Sequence, residues 1–117
     1  MTQPQSLSLP SVYEGTTWEG IGSVTLQRPA GTPLPLEGAH LKMIYRRAGE
    51  RHVRLSLSTG AGIQITDPAA GVFQVPARIL DLPAGTYYWE IIVTFSSGEV
   101  VPLFVGTQEI TRIGSAS

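Results

Sequence analysis

Residues 81–98 constrain this chain more than any other stretch. A turn built from Leu82, Pro83, Ala84 and Gly85 feeds a ten-residue run that is apolar, aromatic or β-branched everywhere but at Glu90. Ser96, Ser97 and Gly98 then turn the chain into another β-rich run, residues 99–105. Side chains alternate across a strand. Tyr87, Trp89, Ile91, Val93 and Phe95 therefore share one face, and Tyr88, Glu90, Ile92 and Thr94 share the other. A strand this aromatic on one side needs a second layer against it, which predicts a central strand in a layered all-β fold.

The remaining segments agree. Gly (13) and Pro (9) punctuate short β-rich runs, and no stretch sustains the 3.6-residue apolar period of a helix. Residues 6–9 read as an edge strand beside Pro10. Residues 16–28 carry Trp18, Val24 and Leu26 on one parity, with Ile21 off it, so Gly20 and Gly22 mark a bulge or kink. A Pro-rich loop follows at 29–38. Further strands place Leu41, Met43 and Tyr45 inward, then Val53, Leu55 and Leu57, then Ile63 and Ile65, then Phe73 and Val75. Asp67 to Gly71 is a turn. Residues 76–82 are the one place for a helical turn, with Ile79, Leu80 and Leu82 packed beneath it and Pro76 at its first position. Residues 99–105 and 108–113 make two last strands, the first blunted or bulged by Pro102. Turn signals every eight to twelve residues predict an antiparallel β-sandwich of about 7–9 strands.

A chain of 117 residues is one domain's worth, with the core over about 6–113 and a loose tail at 114–117. Charged residues make up 15%, well under the roughly 25% of ordinary soluble domains, which suits a surface made to be covered. The net charge of −1 gives no general pull toward nucleic acid or acidic membranes. Cysteine is absent, which excludes disulfides and thiol chemistry. The first ten residues lack the pattern of a secretory signal, and no apolar run approaches the ~20 residues of a membrane span. Synthesis in the cytoplasm is expected.

Chemistry-bearing patterns are sparse. Lone His40 and His52, with no cysteine, give no metal-ligand spacing. No Gly-x-Ser-x-Gly elbow or phosphate loop is present, and the carboxylates are scattered. We expect no catalytic residue, cofactor or metal. Tyr87, following the Leu82–Gly85 turn, reads as a corner tyrosine whose hydroxyl bonds back to that turn. Trp89 belongs to the core. Trp18 and Tyr88 are the two aromatic side chains placed to meet a ligand, a sugar among them, although interface packing is the commoner use. Lys42, Arg46, Arg47, Arg51, His52 and Arg54 form the one charge run, around a hairpin turn with Glu50 as its acid. It is either a solvated tip or a patch for an acidic or phosphorylated partner. Without aromatics interleaved on its face, nucleic acid is not expected.

The order of signals resembles the immunoglobulin-like modules of tail, tail-fibre and baseplate upper proteins of tailed phages and prophages. The matching residues are Trp18 to Gly20, Pro33 to Ala39, Met43 to Arg46, Asp67 to Phe73, Leu82 to Tyr87, and Ser97 to Gly106. They are turn and core residues, which specify a fold more than an activity. The resemblance implies an immunoglobulin-like sandwich and a non-enzymatic virion component, made in the bacterial cytoplasm. Its partners would be other tail proteins or its own copies. A carbohydrate-binding sandwich module is the alternative.

Overall fold

The computed structural model describes residues 5–26, 34–80 and 82–112. Eleven strands follow one another along these residues: β1 (Gln5–Ser6), β2 (Val12–Tyr13), β3 (Thr17–Trp18), β4 (Ile21–Thr25), β5 (His40–Arg47), β6 (Leu55–Thr59), β7 (Gly62–Asp67), β8 (Val72–Val75), β9 (Arg78–Ile79), β10 (Gly85–Thr94) and β11 (Val100–Thr111). No described residue is helical.

One path of pairing runs β1-β11-β10-β5-β6-β7-β8-β4, with β2 added on β11. β10 lies between β5 and β11, antiparallel to both, which is the central position its aromatic face demands. β6 meets β7 over only two pairs, Ser58 with Gly62 and Thr59 with Ile63. There the chain leaves one layer for the other. β7, β8 and β4 form the second layer, and the β3–β9 pair prolongs the β4–β8 ladder past a bulge. With β5 flanked by β6 and β10 in one layer and β8 by β4 and β7 in the other, the architecture is an immunoglobulin-like β-sandwich.

The core draws on both layers. Tyr87, Trp89, Ile91 and Val93 of β10 are buried with Leu41, Met43 and Tyr45 of β5. Against them sit Trp18, Phe73, Val75 and Ile63 from the second layer. Trp18 meets Tyr45 edge-on at 6.4 Å between ring centroids, and Tyr45 meets Tyr87 at 6.5 Å. These are the offset geometries that ring quadrupoles favour. The expected corner is present: the Tyr87 hydroxyl donates to the Pro83 carbonyl at 2.7 Å.

The bulge also falls where the two glycines placed it. Gly20 has a φ of 81°, and a Cβ on it would overlap the Val75 carbonyl. The break at Gly20 between β3 and β4 takes Ile21 off the parity of Trp18, and the shift between Ile21 and Val24 lets both of those residues pack against the core.

Four expectations are corrected. Val53 is 42% exposed rather than inward, because the turn after β5 runs on to β6 at Leu55 and Val53 precedes the ladder. The described residues of 76–82 hold no helical turn. β9 pairs there with β3, and Ile79 faces solvent while Leu80 and Leu82 are buried. Extended pairing satisfies that backbone where a single helical turn would leave it open. The two last strands are one, β11, because Gly106 continues the ladder opposite Trp89. Pro102 lies at a bulge, where the register skips between Ile91 and Ile92. Finally, Trp18 is 0% exposed, so it cannot serve as an aromatic contact. The tail at 114–117, Asp81, and the 27–33 part of strand and Pro-rich loop lie outside the described residues.

Candidate interaction surface

Register assembles a surface that the sequence shows only strand by strand. On the outer side of the first layer, Lys42 stands beside Ile92 and Ser58, and Ile44 beside Glu90 and Ser56. Arg46 stands beside Tyr88. On the other flank of β10, Val105 is opposite Glu90 and Thr107 opposite Tyr88. Tyr88, at 55% exposure, is the large aromatic side chain of this face. An open groove of about 350 Å³ runs beside it, lined by Arg46, Tyr88, Glu90, Val105 and Thr107, with Trp89 and Gly106 at its floor.

The Arg46 guanidinium is held across this face. It donates to Glu90 Oε1 at 2.8 Å and to the Arg51 carbonyl at 3.0 Å. The pair is partly exposed on both sides, so it orients two long side chains more than it stabilises the fold. The result is an aromatic ring and aliphatic groups edged by a fixed cation and anion. Among the described residues no further strand covers them.

The basic residues do not converge as one patch. Arg47 turns into the corner and donates to the Ala84 carbonyl at 2.9 Å. Arg54 forms two bonds to Glu50, at 2.8 and 2.9 Å, and His52 approaches the same carboxylate at 3.8 Å. The bond from Arg54 is the main cause that holds the Glu50 carboxyl below its ordinary range. Arg51 is exposed, and its carbonyl serves Arg46. Lys42 lies four residues from Arg46 along β5, about 13 Å at strand rise. Glu50 therefore offsets Arg54 at the hairpin tip and Glu90 offsets Arg46, while the basic side chains point to separate places. Among the described residues no three His, Asp or Glu side chains gather as a metal site would need.

Of the two aromatic candidates, then, Tyr88 stays at the surface and Trp18 does not. Sequence reasoning did not single out Ile44, Val105 or Thr107. The alternation within β10 does place Tyr88 and Glu90 on one face, but which residues flank them depends on register with β5 and β11. A bulge at Pro102 sets that register.

No protein-family model matches the chain, and no curated protein matches it. Among solved structures, that of murine CRIg is similar to it with a TM-score of 0.34 and 14% identity, covering 93% of this chain and 92% of that one.

Proposed function

We propose that this chain is a non-enzymatic assembly module, a structural component of a phage or prophage tail, that binds a neighbouring protein through the outer face of β5, β10 and β11. The observation that supports the reading most is Tyr88. A large aromatic side chain stands open on a sheet face, beside a groove and a fixed Arg46–Glu90 pair. Tyrosine and arginine are the residue types that anchor protein interfaces. The low charge content and the tail-protein resemblance of the turns point the same way.

The test is light scattering of the pure chain, alone and mixed with the products of adjacent genes, repeated with Tyr88→Ala. A complex is expected, and an anchoring tyrosine should weaken it by about thirtyfold or more when removed. A strict monomer indifferent to every neighbour would overturn the reading. If that monomer were also retained on a polysaccharide column in a Tyr88-dependent way, the carbohydrate module would take its place.

A further inference from the structure

We infer that the outer edge of β11 is a strand socket, and that its occupant, residues 5–14, exchanges between copies of this chain. The inference goes beyond the outer-face reading and uses a different surface.

Three features show that the socket is built for this segment. The first is a clearance. Gly106 lies on β11 where the segment crosses, and a Cβ there would collide with the Leu7 carbonyl and stand 2.9 Å from the Trp89 ring. The second is a buried polar relay. Gln108 is the buried polar side chain of the core. Its Oε1 accepts from the Tyr45 hydroxyl at 2.7 Å, and its Nε2 donates to the Pro10 carbonyl at 3.1 Å. The third is a clasp at the far end, where Glu14 Oε2 accepts from the Ala84 amide of the tyrosine corner at 3.0 Å.

Backbone bonds fill the intervals. Leu7 donates to Val105 at 2.9 Å, Leu9 to Thr107 at 3.3 Å, and Glu14 to Thr111 at 2.7 Å. β1 and β2 are both parallel to β11, Ser6 opposite Val105 and Val12 opposite Ile110, with the register shifting by one residue between the two.

An empty socket is costly. Losing the segment strands the Gln108 amide in the core, and a buried donor without a partner costs about 1–3 kcal/mol. It also bares the edge of a twelve-residue strand, which is an aggregation hazard. Something must fill it, yet the segment's own apolar grip is modest. Leu9 and Val12 pack partly against the core, while Leu7 and Tyr13 are 39% and 59% exposed.

The hinge is short and exposed. Thr16 closes it with two bonds to the Tyr13 carbonyl, from its amide at 3.1 Å and its hydroxyl at 2.7 Å. Gly15, at a φ of 79°, makes the turn. Opening Gly15 and Thr16 frees the segment as a unit. A second copy's segment then makes the same contacts in the same socket, so the swapped and unswapped forms differ only by the hinge and the entropy of association. Reciprocal exchange closes a two-fold dimer, and one-way exchange passes the strand from copy to copy along a ring or filament.

The absence of native cysteine makes a clean test possible. Ser6 and Val105 face each other across adjacent strands, a separation of about 4.8 Å that a disulfide spans. The S6C chain and the V105C chain are incubated together, then oxidised and run on a non-reducing gel. A covalent heterodimer is expected in severalfold excess over S6C mixed with T66C, because Thr66 is exposed away from the socket. Yield should rise with protein concentration. Adding Gly106→Val to the V105C chain should return it to the control level. A mixture that never exceeds the control overturns the inference. So does an S6C/V105C double variant that closes only within one chain at every concentration. Val105 also borders the Tyr88 groove, so neighbour binding is measured on the chain without cysteines: binding of a tail neighbour there, with no exchange in the cysteine pairs, would sink the socket and leave the proposed function standing.

Discussion

Tyr87 and Tyr88 are successive residues of one strand, and they show how differently its two faces are used. Tyr87 is fully covered, its ring against Tyr45 and its hydroxyl on the Pro83 carbonyl. Tyr88 is open beside a groove. On the inner face each side chain answers to a facing layer, and packing at crystal-like density leaves little choice of residue. On the outer face no described strand layer presses back, although neighbouring side chains cover Ile44. Residues there are free to be selected for a partner, and their ion pairs are exposed enough to be worth little to the fold. Polar groups follow the same divide. Tyr45, Gln108 and Tyr87 make buried or part-buried bonds whose loss strands a partner, whereas Arg46, Arg54 and Glu50 bond in water's reach.

Substitutions should separate the faces in order of size. Trp89→Ala, on the inner face, should lose about 3–5 kcal/mol, enough to unfold most of a domain this size. Urea denaturation measures it, and a loss under about 1 kcal/mol would mean that the two layers are not packed through this ring.

High pH should act on the inner face next. Burial raises the phenol pKa of Tyr45 well above its ordinary value, and burial raises that of Tyr87 as well. The folded state thus holds these protons more tightly than the unfolded chain. The stability they confer is fully present below the unfolded tyrosine pKa of about 10, and it is lost as pH climbs from there toward the folded values. Tyrosinate absorbance and circular dichroism followed together should show part of the tyrosine titration arriving with unfolding. Four tyrosines titrating smoothly in a chain that stays folded would contradict the burial.

Tyr87→Phe removes one bond and keeps the ring. It should cost about 0.5–1.5 kcal/mol, visible as a lower denaturation midpoint with an unchanged slope. Tyr88→Ala, one residue along, should stay within about 0.5 kcal/mol of the parent chain in the same experiment. If the two substitutions cost the same, the contrast between the faces fails.

Glu50→Gln should be the smallest change. The carboxyl is held below its ordinary range chiefly by its bond from Arg54. Its contribution exists above the ordinary carboxylate pKa and fades as pH falls through the lowered folded value. The site is exposed, so moderate salt should erase whatever difference a thermal melt detects at low ionic strength.

Much of this was legible in the sequence for local reasons. Period-two alternation assigned the inner faces of β5, β8 and β10, because a side chain's face follows from its place in the strand. Turn chemistry placed the corner at Tyr87, and the glycines at 20 and 22 placed the bulge in the strand that holds Trp18. Local signals failed where the environment was decided elsewhere. Val53 carries the right parity for β6, yet it stands before the ladder begins. Residues 76–82 read as a turn of helix until β3 supplies a partner. Trp18 looked open among its glycines, and the Tyr45 ring that covers it comes from the other layer. Gly106 looked like a break between two strands, but in the fold it clears a path for Leu7.

The sequence by itself determined an all-β chain, its central strand, its corner and most of its core, because propensity, alternation and turn geometry act over a few residues. Only the tertiary structure decided which surfaces are left to act. The Arg46–Glu90 pair joins residues 44 positions apart, and the Gln108–Pro10 bond joins residues 98 apart. Such pairings depend on register between distant strands, which is fixed only when both layers close on one core.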